Sequence, residues 1–283
     1  MSNGPAGQAA RSTAVRPNCE TSGAGRSALL RTFLHTADGV RIDAVYEPGA
    51  AVYETLTPPS DHPAFVVAHG FTGDADKPHV RRVAGVFARY GAVVTFSFRG
   101  HGASGGRSTV GDREVFDLAA AVAWAREQGH ARVVTVGFSM GGSVVLRHAA
   151  LHGRQTEAVV SVSAPARWYY RGTAPMRRVH WLVTRPEGRL LGRYGLRTRI
   201  HHRGWNPVPL SPVEAVPRIA PTPLLIVHGD RDGYFPVDHP HMLAAAAGDH
   251  GELWLEPGMG HAEHAATDEL LARIGDWAVG AAG

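Results

Sequence analysis

The sequence contains little cysteine and no long apolar run. Cys19 is the only cysteine among 283 residues, which excludes an internal disulfide framework and a cysteine-based metal site. No eighteen consecutive residues are apolar, so no membrane-spanning helix and no stable membrane anchor are expected. Residues 1–28 carry neither the apolar run of a signal peptide nor any periodicity, and they are predicted to be a disordered tail. These absences favour a cytoplasmic protein.

Metal-binding patterns are also missing. The 17 histidines include no His-Glu-x-x-His or comparable spacing, so neither a metal nor a cofactor is expected. A chain of this length that is 44% hydrophobic can bury one sizeable core. Residues 29–283 are therefore predicted to form a single domain.

The net charge of +4 is unevenly distributed. Residues 164–220 contain eleven arginines, two glutamates and neither lysine nor aspartate, a formal charge of +9. Two interpretations are open: a solvated arginine-rich surface, or a region that attracts an anionic substrate, an anionic partner or a membrane surface. No nucleic-acid-binding motif accompanies these arginines, so no nucleic-acid partner is expected.

Short apolar runs alternate with helical stretches through most of the chain. Residues 29–48 alternate around an Ala-Asp-Gly turn and predict two antiparallel strands. From Ala64 onward, β-branched runs such as AVVTFSF and RVVTVG alternate with segments of helical length. Runs that are apolar throughout are buried on both faces, and helical crossovers between them make a mostly parallel sheet. The pattern predicts an α/β fold.

One segment interrupts this alternation. Almost sixty residues separate the strand that ends near Ser163 from the strand that starts near Thr222, where a short crossover would suffice. We predict a cap insertion over residues 164–220, with the run MRRVHWLVTR as a short helix. Ligands of open α/β sheets bind beyond the carboxyl ends of the strands, so such an insertion would wall a pocket. Its aromatic residues include Trp168, Tyr169, Tyr170, Trp181 and Trp205.

Two stretches match Gly-x-Ser-x-Gly, a pattern typical of a serine nucleophile. Ser139, in GFSMGG, follows the strand pattern RVVTVG and precedes the helical pattern SVVLRHAALHG. Strand, sharp turn and helix is the context that this motif requires. Ser104, in GASGG, has no helix starting within reach and lies among glycines typical of a flexible loop. Ser139 is the candidate nucleophile.

A serine hydroxyl needs a base, and the base needs an orienting carboxylate. In a mostly parallel sheet these partners are expected at the ends of other strands, on the same edge as the serine. LLIVHGDRDGYFP supplies a strand followed by Asp230 and Asp232. LWLEPGMGHAEHA supplies a strand followed by His261 and His264. The order along the chain alone leaves both carboxylates and both imidazoles open.

Five motifs, in this order, resemble the α/β-hydrolase superfamily, particularly its monoacylglycerol-lipase-like and serine-aminopeptidase-like branch. They are AHGFTG (68–73), FRGHGASGG (98–106), GFSMGG (137–142), HGDRDGYFP (228–236) and GMGHAE (258–263). The resemblance extends from about Leu29 to the C-terminus. It implies the α/β-hydrolase fold: a mostly parallel central sheet with helices on both faces and a short cap insertion.

The resemblance also implies roles for single residues. Ser139 matches the nucleophile, His261 the base, and Asp232, three residues after the glycine of His-Gly-x-x-Asp, the orienting acid. Asp230 is then a turn residue, and His264 lies at the start of a helix.

Two backbone N–H groups, those of Phe71 and Met140, are expected to form the oxyanion hole. His69 and His101 look catalytic in isolation, but the matching residues of relatives serve local loop structure. Only the backbone is needed at the two donor positions, although Phe71 is also a candidate for a wall of the acyl pocket.

Two positions depart from the relatives. The aspartate usually found two residues before Arg99 is replaced by Ser97, so Arg99 is expected to pair with Asp117 on the following helix. No carboxylate follows the strand ending near Ser163, where some relatives carry the acid.

The expected function is hydrolysis of a carboxylic ester in a small-molecule acyl substrate, with the acyl group carried on Ser139. Thioesterases, amidases, aminopeptidases and acyltransferases use the same machinery and are alternatives. The alternative hypothesis that does not involve catalysis is a binding protein that uses the basic cap to bind an anionic ligand. An intact set of nucleophile, base and acid disfavours this hypothesis.

Overall fold

The computed structural model describes residues 29–49 and 62–283. The predicted tail over residues 1–28, with Cys19, lies outside the described residues. Within them, eight strands form one sheet in the order β1-β2-β4-β3-β5-β6-β7-β8. The strands are Leu30–His35 (β1), Arg41–Glu47 (β2), Ala64–Ala68 (β3), Ala92–Phe96 (β4), Val133–Phe138 (β5), Ala158–Val162 (β6), Leu224–Gly229 (β7) and Gly251–Glu256 (β8).

Strand directions agree with the sequence pattern. β1 and β2 form the predicted antiparallel hairpin, with Leu30 opposite Tyr46, and Gly39 in the turn has a positive φ of 79°. β2 also pairs antiparallel with β4, whereas every pair from β4 across to β8 is parallel. The prediction of a mostly parallel sheet is confirmed.

Nine α-helices lie in the described part of the chain, and none of them is long and apolar enough to cross a lipid bilayer. The helices are Pro78–Phe87 (α1), Glu114–Glu127 (α2), Met140–His152 (α3), Ala174–Thr184 (α4), Pro186–Tyr194 (α5), Pro212–Ala215 (α6), Asp238–Ala247 (α7), Ala262–Ala265 (α8) and Asp268–Ala281 (α9).

Helices cover both faces of the sheet because the central strands are apolar throughout. Val66 of β3 belongs to the core cluster that includes residues of α2 and α3, whereas Phe65 and Val67 belong to the cluster with α1 and α9. Every residue of β3, β4, β5, β6 and β7 is buried. Burying each large apolar side chain contributes roughly 1.5–3 kcal/mol, so these strands form a rigid frame for the loops that follow them.

The long segment between β6 and β7 contains α4, α5 and α6. The run MRRVHWLVTR, predicted as a short helix, overlaps α4, whose N-terminus is capped by Thr173 accepting from the amide of Met176. The sequence reasoning misses α5, although Pro186 at its first position is a recognised helix-start signal. The cap boundaries of 164–220 stay a prediction.

Arg99 ties the loop after β4 to α2. Its buried guanidinium donates to Asp117 at 2.7 and 2.9 Å, and the predicted pairing is confirmed. It also donates to Asp38 of the β1–β2 turn at 2.7 and 2.9 Å, a contact across 61 residues that the sequence does not predict. Because the side chain of Asp117 is fully buried, its negative charge is compensated only while Arg99 is present, whereas Arg99 keeps Asp38 as a second partner.

We expect Asp117→Ala to lower the free energy of unfolding by about 1–3 kcal/mol, because it removes the buried acceptor of the Arg99 amide and guanidinium while Asp38 still compensates the charge. The matched control is Arg113→Ala, which removes an exposed guanidinium 3.9 Å from Asp38 and should cost less than about 1 kcal/mol. Urea denaturation of both variants measures the difference. Equal losses would contradict the dominance of the buried pair.

Candidate active site

Ser139 occupies the sharp turn between β5 and α3. Its backbone has φ 52° and ψ −113°, a strained conformation for a residue other than glycine. The main chain is so close-packed here that a Cβ on Gly137 would collide with the carbonyl of Gly141, and one on Gly141 with the carbonyl of Ala68. Glycine is therefore required at both positions, and the serine lies at the positive N-terminus of α3.

The structure brings together three side chains that the sequence singles out. Oγ of Ser139 lies 2.9 Å from Nε2 of His261, and Nδ1 of His261 lies 2.7 Å from Oδ2 of Asp232. The three residues follow β5, β8 and β7, so the carboxyl ends of parallel strands supply all of them. Nδ1 faces a carboxylate and donates to it, which leaves Nε2 able to accept from the serine hydroxyl.

Asp232 is held as a carboxylate despite its burial. Burial raises the pKa of the Asp232 carboxyl, but hydrogen bonds from His261 and from the amides of Tyr234 and Phe235 outweigh it and leave the pKa below its ordinary value. The negative charge is therefore available to stabilise a positive charge on His261.

Sequence reasoning missed two residues that position these groups. Oγ of Ser163, directly after β6, accepts from the amide of Ala262, next to His261, at 3.1 Å. His228 packs against Asp232, with Nε2 3.6 Å from the carboxylate and donating to a backbone carbonyl at 2.8 Å. Burial lowers the pKa of His228, which favours its neutral ring. His228 stands in the quoted motif HGDRDGYFP, but the motif alone does not reveal the contact.

The other candidates from the sequence lie in structural positions. Asp230 accepts from a backbone amide of the loop after β8 at 2.7 Å, as a turn residue would. His264 lies in α8, and its ring packs on a second histidine ring at 3.9 Å. Ser104 is buried, accepts from an amide of β2 at 2.9 Å and donates to a carbonyl after β4 at 2.6 Å. None of the three joins the Ser139–His261–Asp232 chain of hydrogen bonds.

Two residues whose backbone amides are expected to form the oxyanion hole line the same cavity as the serine. They are Phe71 and Met140, and neither amide has an acceptor among the described residues. The peptide before Phe71 is held by Glu263, whose buried carboxylate accepts from the amide of Gly70 at 3.0 Å. Gly70 and Glu263 are 193 residues apart, so the sequence does not predict this hydrogen bond. The sequence shows only that Glu263 comes two residues after His261.

His69 and His101 hold the loop that carries Phe71. Nδ1 of His69 donates to the carbonyl of Gly70 at 2.7 Å, and its Nε2 accepts from the amide of Phe98 at 3.0 Å. Nε2 of His101 accepts from the loop amide of residue 72 at 3.4 Å. Burial lowers the pKa of His69 to about 3 and that of His101 to about 4, so both rings are neutral structural groups.

A cavity of about 530 Å³ has Ser139 and His261 in its lining. The ring of Tyr234 stacks on that of His261 at 4.2 Å, and the rings of Trp168 and Trp205 pack at 5.0 Å. Its volume is that of a pocket for a small molecule. The aromatic side chains of the lining, outside the histidines, are Phe71, Trp168, Tyr169, Tyr170, Trp205, Tyr234 and Phe235.

Comparison with known proteins supports the fold described above. The model of the alpha/beta hydrolase family matches residues 65–274. A monoacylglycerol lipase from Mycolicibacterium smegmatis is 29% identical, over 74% of this chain and 85% of that protein. The Pyrococcus furiosus esterase Pf2001 superposes with a TM-score of 0.68 at 21% identity, covering 89% of this chain and 92% of that one.

A second solved structure, Est1E from Butyrivibrio proteoclasticus with ferulic acid bound, superposes with a TM-score of 0.59 at 18% identity. It covers 88% of this chain and 99% of that one. These likenesses confirm the predicted fold. Because the family model spans well over half of the residues, the chain belongs to the alpha/beta hydrolase family.

Proposed function

We propose that the protein is a serine hydrolase that cleaves carboxylic esters through an acyl-enzyme. The observation that carries the proposal is the continuous chain of hydrogen bonds from Ser139 through His261 to Asp232. Family membership supports it, as do the names of the relatives, a monoacylglycerol lipase and an esterase.

In the proposed acylation, Nε2 of His261 takes the proton of Ser139 as Oγ attacks the carbonyl carbon of the ester. The carbonyl oxygen becomes negative and receives hydrogen bonds from the amides of Phe71 and Met140, neither of which has another acceptor among the described residues. The carboxylate of Asp232 stabilises the imidazolium that forms. The N-terminus of α3 favours the same negative charge.

Collapse of the tetrahedral intermediate breaks the bond to the alcohol, and His261 returns its proton to the leaving oxygen. Water then enters, gives a proton to Nε2 of His261 and attacks the acyl carbon. The bond to Ser139 breaks, the serine recovers its proton from His261, and the carboxylic acid leaves. The aromatic lining of the cavity favours an apolar acyl or alcohol group of modest size.

We expect a fluorophosphonate probe to label wild type but not Ser139→Ala, because only an activated hydroxyl attacks phosphorus. The matched control is Ser104→Ala, which removes the serine of the second Gly-x-Ser-x-Gly match and should leave labelling intact. In-gel fluorescence of folded protein measures both. Equal labelling of Ser139→Ala and wild type would overturn the proposed nucleophile.

We expect Asp232→Asn to reduce kcat by about 10³- to 10⁴-fold, because an amide does not hold the imidazole in the required tautomer or stabilise its positive charge. The control is Asp230→Asn, which keeps an oxygen to accept from the amide of Gly258 and should change kcat by less than about threefold. Steady-state kinetics with one ester substrate compares them. The opposite ranking would assign the acid to Asp230.

We expect turnover of p-nitrophenyl esters with acyl chains of two to about eight carbons, since the cavity is of small-molecule size. Aminoacyl p-nitroanilides are the comparison, because the same three side chains also serve peptidases. Release of p-nitrophenol or p-nitroaniline is followed by absorbance. Turnover of the anilides alone would replace the esterase assignment with a peptidase while leaving the nucleophile in place.

A further inference from the structure

The lining of the active-site cavity, although largely aromatic and apolar, has an excess of positive charge. Four of its lining residues are of the acidic or basic types Asp, Glu, Lys and Arg, and three of these are arginines: Arg167, Arg171 and Arg203. The fourth, Glu263, is buried and already accepts from the amide of Gly70. An anion entering this cavity therefore meets positive charge that the described lining residues do not neutralise.

The three arginines differ in what they contact. Arg167 forms an ion pair with Asp238 at 3.1 Å, so its charge is partly compensated. The side chain of Arg203 contacts no carboxylate among the described residues, and Arg171 makes no ion pair there either. Arg171 and Arg203 thus line the cavity as solvent-exposed residues whose guanidinium groups have no carboxylate partner in the described part of the chain.

His180 orients Arg171. Nε of Arg171 lies 3.2 Å from Nδ1 of His180, and Nε2 of His180 lies 3.0 Å from the carbonyl of Tyr170. A carbonyl only accepts, so Nε2 carries the proton and Nδ1 accepts from Arg171. Burial and the neighbouring Arg171 lower the pKa of His180, which favours this neutral form. The histidine fixes Nε and leaves both terminal nitrogens of the guanidinium without an acceptor among the described residues.

The turn that carries Arg171 is tied to the catalytic side of the cavity. Arg177 donates to the carbonyls of Arg171 at 3.3 Å and of residue 172 at 3.2 Å. Thr173 donates to the carbonyl of Tyr234 at 2.9 Å, and the ring of Tyr234 stacks on His261. These bonds hold the backbone of Arg171 in a defined place relative to the base.

We propose that Arg171, oriented by His180 and joined by Arg203, forms an anion subsite in the active-site cavity, and that the natural ester carries a carboxylate or phosphate group. The inference rests on the proposed ester hydrolysis. A guanidinium with two free terminal nitrogens matches the two oxygens of such a group. The anion is carried on the acyl part or on the alcohol part of the ester, and the experiment separates these.

Two matched substrate pairs test the subsite. Mono-p-nitrophenyl glutarate is compared with neutral p-nitrophenyl valerate for an anion on the acyl side, and 4-butyryloxybenzoate with 4-butyryloxybenzamide for an anion on the alcohol side. Arg171→Ala should lower kcat/KM for one anionic ester by about 5- to 30-fold, mainly through KM, and leave its neutral partner within about twofold.

Two further variants separate a placed guanidinium from overall charge. Arg178→Ala removes the same charge from α4, at an exposed residue that does not line the cavity, and should spare all four esters. Arg171→Lys keeps the positive charge but not the two terminal nitrogens of the guanidinium, so it should restore only part of the kcat/KM that Arg171→Ala loses on the anionic ester. Equal losses on anionic and neutral esters, or equal effects of Arg171→Ala and Arg178→Ala, would overturn the subsite.

A binding measurement keeps the subsite separate from the reaction. Calorimetric titration with glutarate and with 4-hydroxybenzoate requires no turnover. The subsite is supported if either anion binds to wild type and to Arg178→Ala but binds at least about fivefold more weakly to Arg171→Ala. This result would support the subsite even if no ester were cleaved. The absence of ester cleavage would refute only the proposed function. Equal affinity of wild type and Arg171→Ala, or no binding of either anion, would refute the subsite itself.

Discussion

The strained backbone of Ser139 is the constraint on which the candidate active site depends. A left-handed serine costs roughly 1–3 kcal/mol and persists only where its surroundings determine it. Here they do: β5 is buried between β3 and β6, the amide of Ser139 donates to the carbonyl of Val162 at 2.8 Å, and its carbonyl accepts from Ser143. The glycines at 137 and 141 allow strand, turn and helix to approach closely enough to enforce this geometry.

From that turn the other groups follow by strand direction. Parallel strands end on one edge of the sheet, so the loops after β7 and β8 bring Asp232 and His261 to the serine from 93 and 122 residues along the chain. Strand direction does not fix the exact positions of these loops, and buried polar contacts do so instead. Ser163 holds the residue after His261, and Glu263 joins the same short segment to the Gly70 peptide. His261, at the N-cap of α8, and the Gly70 peptide before Phe71 are thereby both tied to this four-residue helix.

Features that depend on interactions between neighbouring residues could be predicted from the sequence. Apolar runs predicted the central strands, the Ala-Asp-Gly turn predicted the hairpin, and strand-turn-helix context separated Ser139 from Ser104. Contacts between distant segments were beyond it: the bond from Gly70 to Glu263, the second partner of Arg99, and the bond from Thr173 to Tyr234 depend on how loops meet in space. The motifs that resemble the family predicted contacts between distant segments only for the residues within the motifs themselves.

The basic cap shows why a charge count alone left two interpretations open. Some of its arginines bind backbone: Arg189 donates to carbonyls at the end of α4, and Arg199 to the carbonyl of Ser104. These guanidiniums satisfy carbonyl groups and so act in the structure of the cap itself. Others, such as Arg178, are exposed, as a solvated surface would have them. Arg171 and Arg203 are exposed too, but they also line the cavity and have no carboxylate partner among the described residues, which is why the proposed anion subsite is assigned to them. The cap's positive charge therefore has several physical roles, and each guanidinium's contacts, not the sum, decide which one applies.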